Sequence, residues 1–220
     1  PKLNGYRIDG VAACRLCWQW FTFDGLTSGH KPDHSDFVAR RVSEPELIRL
    51  AGEYDIWDHR DPDGKPLQFG LRSLNFASLS LLIQDQFSGK DYASEHLAHV
   101  INAGYAIKSY CDKMAEEYSS QFSQTIEWEG LKFCALNIGQ RGNSDLLSGG
   151  IKPEHDACFA WRWTGKEVAV SLYHVAGKTH LDLSLIATKY GGGGHRGACG
   201  FRLTLKQLSA IVSHGNQMAQ

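Results

Sequence analysis

The sequence predicts an α/β fold: two lobes joined by one long helix. Three observations carry that prediction. Leu97, Val100, Ile101, Gly104, Ile107, Cys111, Met114 and Tyr118 recur every three or four residues, as one apolar stripe on a helix of many turns. Beyond residue 122 the pattern changes to short runs rich in aromatic and β-branched residues. Before residue 92, residues 11–23 and 45–51 read as helices, with a loop marked by Gly25, Gly29 and Pro32 between them.

Taken in chain order, residues 11–23 place Ala13, Leu16, Cys17 and Trp20 at helical spacing and read as a buried helix. Gly25, Gly29 and Pro32 mark a loop. Pro45 stands where a helix starts, ahead of Glu46–Ala51. Asp55 and Trp57 fall where that ordered element ends, and Asp61-Pro62-Asp63-Gly64 has turn chemistry. After the long helix, Thr125–Trp128, Leu131–Ile138, Cys158–Thr164 and Val168–Val175 read as strands, with turns at Gly130 and at Gly165-Lys166. Asp182–Tyr190 reads as a helix with Leu183, Ile186, Ala187 and Tyr190 on one face, ended by Gly191–Gly194. Phe201–Leu203 is a strand and Leu205–Val212 a last helix.

Composition narrows the function. The 220 residues are 42% hydrophobic and 21% charged, which is globular and not disordered, collagenous or coiled-coil. Lys+Arg number 23 and Asp+Glu 24, so the net charge is −1. That balance excludes the broad basic surface of a protein that coats nucleic acid, and leaves room for a small phosphate site. No run of about 18 apolar residues is present. Six scattered cysteines, at 14, 17, 111, 134, 158 and 199, read as reduced thiols in a cytoplasmic protein.

Three motifs compete. Cys14-x₂-Cys17-x₁₂-His30-x₃-His34 has zinc-finger spacing, but Gly29 and Pro32 deny the two histidines a shared helix, so the reading is two core thiols and a loop. Gly192-x-Gly194-x-x-Gly197 matches a dinucleotide fingerprint, yet a helix precedes it and a strand follows, the reverse of what that fingerprint requires. Gly177-Lys178-Thr179 hints at a phosphate loop, but Leu172 stands where its first glycine is required. What remains is Gly191-Gly192-Gly193-Gly194-His195-Arg196. Consecutive glycines let backbone N–H groups approach an anion without Cβ atoms in the way. His195 and Arg196 add side-chain donors for phosphate oxygens.

Tyr190-Gly191-Gly192-Gly193-Gly194-His195-Arg196-Gly197-Ala198-Cys199-Gly200-Phe201 resembles the signature G-G-G-H-x-x-A-x-G-F. That signature belongs to the DHH-associated C-terminal domain of the DHH phosphoesterases. Val11–Phe21 is similar to the helix that follows the DHH motif, often written S-G-A-x-L-A-W-x-Y-F, and Tyr54-Asp55-Ile56-Trp57 to the family's last acidic motif, R-D-L-W. The family includes RecJ-type exonucleases, oligoribonucleases and cyclic-dinucleotide hydrolases, and alanyl-tRNA synthetases share the C-terminal domain. The resemblance implies the end of a parallel-sheet DHH-type catalytic domain over 1–91, a connecting helix over 92–121 and a mixed α/β substrate-binding domain over 122–220.

By the same resemblance Asp55 is a metal ligand, within a set of two Mn²⁺ or Mg²⁺ ions in the intact enzyme. Gly192, Gly193, Gly194, His195 and Arg196 bind the substrate phosphate, with His195 the catalytic-site histidine. No Asp-His-His occurs in the chain, and the motif order would place it before residue 1. Where family members carry Ser-Leu-Arg-Ser, this chain has Ser171-Leu172-Tyr173-His174, and Arg141 is the candidate substitute cation. The expected activity is a metal-dependent phosphoesterase acting on short oligonucleotides, dinucleotides or cyclic dinucleotides. The chain alone is expected to be incomplete for catalysis. The expected partners are the nucleic-acid or dinucleotide substrate and no membrane, with a homodimer as one assembly open to it. The competing class is a non-catalytic nucleotide- or RNA-binding module, or a degenerate subunit.

Overall fold

The computed structural model describes residues 5–23, 31–88, 92–139 and 144–216. The chain divides into two compact units, Pro1–Tyr110 and Cys111–Gln220, and one long helix, α6 (Tyr92–Phe122), runs from the first into the second.

The first unit holds α1 (Ala13–Thr22), α2 (His34–Val38), α3 (Glu46–Asp55), α4 (Gly64–Ser73), α5 (Phe76–Ser88) and the first turns of α6, with no strand among its described residues. Asp33 and Asp36 form a capping box on α2, and α3 starts directly after Pro45 as predicted. Leu47, Leu50, Leu67, Leu82, Leu97, Val100 and Ile101 make the core. α4 and α6 cross at glycines: a Cβ on Gly104 would stand 1.9 Å from the Pro66 carbonyl oxygen, and one on Gly70 2.2 Å from that of Val100. The Gly104 of the predicted stripe is therefore a close approach of two backbones.

Helix α1 is present, but it turns a different face inward from the one expected. Arg15, Leu16 and Gln19 are its buried residues, while Ala13 and Cys17 are exposed. A buried ion pair explains the rotation. The Arg15 guanidinium grips the Glu44 carboxylate, with Nε 2.9 and 3.0 Å from its two oxygens, and both side chains are only 2% exposed. The guanidinium also lies over the Phe37 ring, 4.9 Å from its centroid. Gly52 makes room for the Arg15 stem, since a Cβ there would meet Arg15 Cγ at 2.5 Å. Gln19 and Trp18 both donate to the Ser43 carbonyl. Cys14 and Cys17 are consequently exposed thiols, not core thiols, and His30 lies outside the described residues. Helix α5 carries seven apolar residues in thirteen, yet only Leu82 is buried; Phe76, Leu81, Ile83 and Phe87 are exposed.

The second unit is a six-stranded sheet in the order β1-β2-β3-β4-β6-β5. Its strands are β1 (Gln124–Trp128), β2 (Leu131–Asn137), β3 (Ala157–Trp163), β4 (Val168–His174), β5 (Gly193–His195) and β6 (Ala198–Leu203). All neighbours are antiparallel except β2 and β3, which are parallel. The β1–β2 turn puts Glu129 at φ 53° and Gly130 at φ 75°, the left-handed pair that suits a two-residue hairpin. Period-two burial is plain in β4, where Val168, Val170 and Leu172 face the core. Helices α7 (Leu183–Lys189) and α8 (Leu205–Asn216) cover that face with Leu183, Ile186, Ala187, Leu208 and Ile211. On the other face Cys134, Leu136, Cys158 and Ala160 meet Leu147 of a 3₁₀ turn, Ser144–Gly150. Burial pushes the Cys158 thiol up to about 12, so it stays protonated. Along α6 the predicted stripe holds through Leu97, Val100, Ile101 and Gly104 and then changes face. Cys111 and Met114 are exposed, and Ala115 and Ser119 are buried instead, Ser119 beside Gly149. Each part of the helix serves its own unit. No helix among the described residues is long and apolar enough to cross a membrane.

Buried His155 ties the turn before β3 to the start of β1. Its Nδ1 accepts from the Lys152 N–H at 2.9 Å, so Nε2 carries the proton and donates to Thr125 Oγ1 at 2.8 Å. Burial lowers its pKa below the ordinary 6.5. The unfolded chain then binds a proton that the folded one refuses, so this contribution is complete above 6.5 and is lost as pH falls below it. Urea melts at pH 7.5 and 5.5 should show lower stability at 5.5, and the difference should shrink in His155→Gln. Glu44→Gln leaves Arg15 buried without its counter-charge and should lower stability by about 3–5 kcal/mol at pH 7.5 in the same assay.

Candidate functional site

The glycine run starts as a helix cap. Helix α7 begins at Asp182, whose carboxylate accepts from the Ser184 N–H at 3.1 Å. It ends with Gly191 at φ 73°. The Gly191 N–H donates to the Thr188 carbonyl at 3.0 Å and the Gly192 N–H to the Ala187 carbonyl at 2.9 Å, the two bonds of a Schellman motif. Gly192, expected in the phosphate cradle, thus has its N–H engaged by the helix. It also presses on β6: a Cβ there would stand 2.1 Å from the Gly200 carbonyl oxygen and 2.6 Å from Phe201 Cβ.

Gly193, Gly194 and His195 then form β5, paired in register with Gly200, Cys199 and Ala198. A Cβ on Gly194 would meet Cys199 Cα at 2.6 Å, and its φ of 137° also demands glycine. Gly193 differs from its neighbours. It has no positive φ, and a Cβ built on it touches nothing within 4 Å. Neither conformation nor packing explains the missing side chain at 193. Gly193 and His195 are two residues apart and so share one face of the strand. His195 is exposed, and its ring makes no hydrogen bond or ion pair among the described residues. β5 is the sheet's edge strand, so alternate N–H groups along it have no strand partner. An open notch, edge N–H groups and an unengaged imidazole converge there, a fitting set for an anion.

The hairpin tip, Arg196-Gly197, is held from two sides. The Leu183 N–H donates to the Arg196 carbonyl, and the His174 N–H to the Gly197 carbonyl, both at 3.0 Å. The Arg196 guanidinium donates to the His180 carbonyl at 3.1 Å and stands 3.5 Å from the Asp182 carboxylate, with its side chain still 66% exposed. On the far side Glu129 takes Lys189 and the Tyr190 hydroxyl, which lower its pKa in that order, and the Tyr190 ring stacks on Phe201 at 5.1 Å. Cys199 lies next to Gly194 but is no nucleophile: burial, and after it the Asp182 carboxylate, push its thiol up to about 11.

Asp55 is the last residue of α3 and is exposed, as its sequence position suggested. Although Cys14 as a residue is exposed, its sulfur lies toward α3, and the partial burial of that atom, and behind it the Asp55 carboxylate, push the thiol up. Among the described residues no three His, Cys, Asp or Glu side chains gather as a metal-holding group. One carboxylate and a protonated thiol do not fit two hard divalent cations. Arg141 lies outside the described residues. The dinucleotide fingerprint is excluded by topology, because α7 precedes the glycines and two strands follow. Sequence reasoning missed β5 itself and the roles of His174 and Leu181. The capping function of the first two glycines was available from Gly191 standing directly after the last helical turn.

No protein-family profile matches the sequence, and no curated protein matches it. Solved structures give partial likenesses. A pGpG-specific phosphodiesterase, PggH, from Vibrio cholerae is 12% identical, with a TM-score of 0.49 over 88% of this chain and 69% of that one. The DHH domain of a member of the S1P family of ribosomal proteins is 13% identical, with a TM-score of 0.48 over 82% of this chain and 47% of that one. An uncharacterized protein from Helicobacter pylori G27 is 14% identical, with a TM-score of 0.35 over 88% and 65%. This chain therefore spans about half to two-thirds of the length of those proteins. Likeness at this level says nothing about residues or activity.

The glycines separate by role in a simple substitution series. Gly192→Ala and Gly194→Ala should each lower stability by about 1–3 kcal/mol through overpacking or strain. Gly193→Ala should stay within about 0.5 kcal/mol of the parent. Thermal melts of the three variants check the ranking.

Proposed function

We propose that the Gly193–His195 edge holds a phosphate of a short nucleotide ligand, and that the chain is the substrate-holding part of a phosphoesterase. The ligand class is a short oligonucleotide, a dinucleotide or a cyclic dinucleotide. The observation that carries this reading is the notch at Gly193 beside the unengaged His195 ring, a missing side chain that the fold itself does not require. The N–H groups of the edge and the imidazole supply donors, and Arg196, exposed at the tip, adds positive charge. A net charge of −1 suits a small ligand better than a long polymer.

The site binds and orients, and its thiol takes no part. Cys199 is held as a neutral thiol, and no metal-holding group stands among the described residues. Those two facts favour a second reading, a binding module without chemistry of its own. Asp55 is proposed as a ligand contributed toward a cation, and the described residues do not complete such a site.

Equilibrium titration of residues 1–220 with a 5′-phosphorylated dinucleotide tests the proposal. Binding should be at least about tenfold weaker for the unphosphorylated dinucleotide, and for His195→Ala against the phosphorylated one. Gly193→Val should abolish it while leaving the melting temperature nearly unchanged. Equal affinity for the two dinucleotides overturns the proposal. The product of the gene's full open reading frame, assayed with the phosphorylated dinucleotide and Mn²⁺, separates the two readings: hydrolysis supports the phosphoesterase, and binding without turnover supports the module.

A further inference from the structure

The β5–β6 hairpin is a poor structure by itself. β5 has three residues, two of them glycines, and it lies at a sheet edge. Glycines lose the most conformational freedom on ordering, and a hairpin this short is marginal alone. Something outside the hairpin must hold His195 in place.

The contacts converge on His174, the last residue of β4. Its backbone N–H donates to the Gly197 carbonyl at 3.0 Å. Its ring Nε2 lies 2.9 Å from the Leu181 carbonyl oxygen, which can only accept, so Nε2 carries the proton and donates. That bond fixes the segment leading into α7. The same segment receives the other hairpin contacts, because Arg196 reaches the His180 carbonyl and Asp182, and the Leu183 N–H reaches the Arg196 carbonyl. The ring also fills the space of a missing side chain: a Cβ on Gly197 would stand 2.6 Å from His174 Nδ1 and 2.9 Å from Cε1. One imidazole therefore touches the tip of the hairpin and the strap that holds that tip.

We infer that His174 is a positioning residue, which sets the place of His195 by wedging its ring between Gly197 and the Leu181 carbonyl. The inference rests on the phosphate-site reading for its meaning, but its geometry stands without a ligand. His174 touches no substrate in this account and acts through the hairpin.

The test uses the ring NMR signals of His195, assigned by their loss in His195→Ala, with no ligand present. His174→Ala should shift or broaden them. His174→Gln, whose side-chain amide can donate to Leu181 in place of Nε2, should return them toward the parent position. Gly197→Ala, which pushes a Cβ into the ring from the other side, should disturb them again and keeps the test alive if His174→Ala does not fold. An undisturbed His195 in His174→Ala or in Gly197→Ala overturns the inference, as does a failure of Gln to restore it. With the phosphorylated dinucleotide, His174→Ala should raise Kd about five- to tenfold. The double variant with His195→Ala should be no weaker than His195→Ala alone, whereas additive losses overturn the inference. Loss of the phosphate-site reading shows separately, as a Kd indifferent to His195→Ala while the ligand-free signals still respond to His174.

Discussion

Gly192 lies against Gly200 and Phe201 with no room for a single added carbon. The arrangement of the second unit around the hairpin depends on that approach. It lets the chain leave α7 and enter the sheet edge within three residues, closing the helix with backbone bonds on the way. The aromatic stack of Tyr190 on Phe201 backs the same junction. Any larger residue would push β5 off β6, and the position of His195 would be lost with it.

From that constraint the character of the site follows. Glycines at 191, 192 and 194 serve the turn, the contact and the strand conformation, so only Gly193 is left to serve something outside the protein. The donors around it are backbone amides, an imidazole and a guanidinium already steadied by Asp182 and the His180 carbonyl. The adjacent Cys199 thiol is held in its neutral form by burial. On the proposed reading, such a surface selects its ligand by charge and shape.

Much of the second unit was legible because its signals are local. Alternating β-branched and aromatic residues marked four strands, and the glycine-bearing turns separated them. β5 was hidden because Gly-Gly-His has no strand propensity; only its partner β6 makes it a strand. The clamp was hidden for a related reason. His174, Leu181 and Gly197 meet only through tertiary folding, and no spacing rule joins them. In the first unit the hydrophobic pattern of α1 pointed the wrong way. A buried Arg15 paired with Glu44 turned the buried face away from Ala13 and Cys17 while keeping Leu16 inside, and single-sequence periodicity counts arginine as an outward residue. The stripe on α6 failed halfway because one helix answers to two cores.

Helix α5 has a colloidal consequence. Phe76, Leu81 and Ile83 are exposed, Phe87 is half-covered by the Trp18 ring, and the helix carries one charged side chain, Asp85, already committed to His96. With a net charge of only −1, the chain has almost no long-range repulsion to keep like molecules apart in solution. Handled without something to shield those side chains, the polypeptide is set to clump as its concentration rises, and mild detergent or high dilution becomes a condition of working with it.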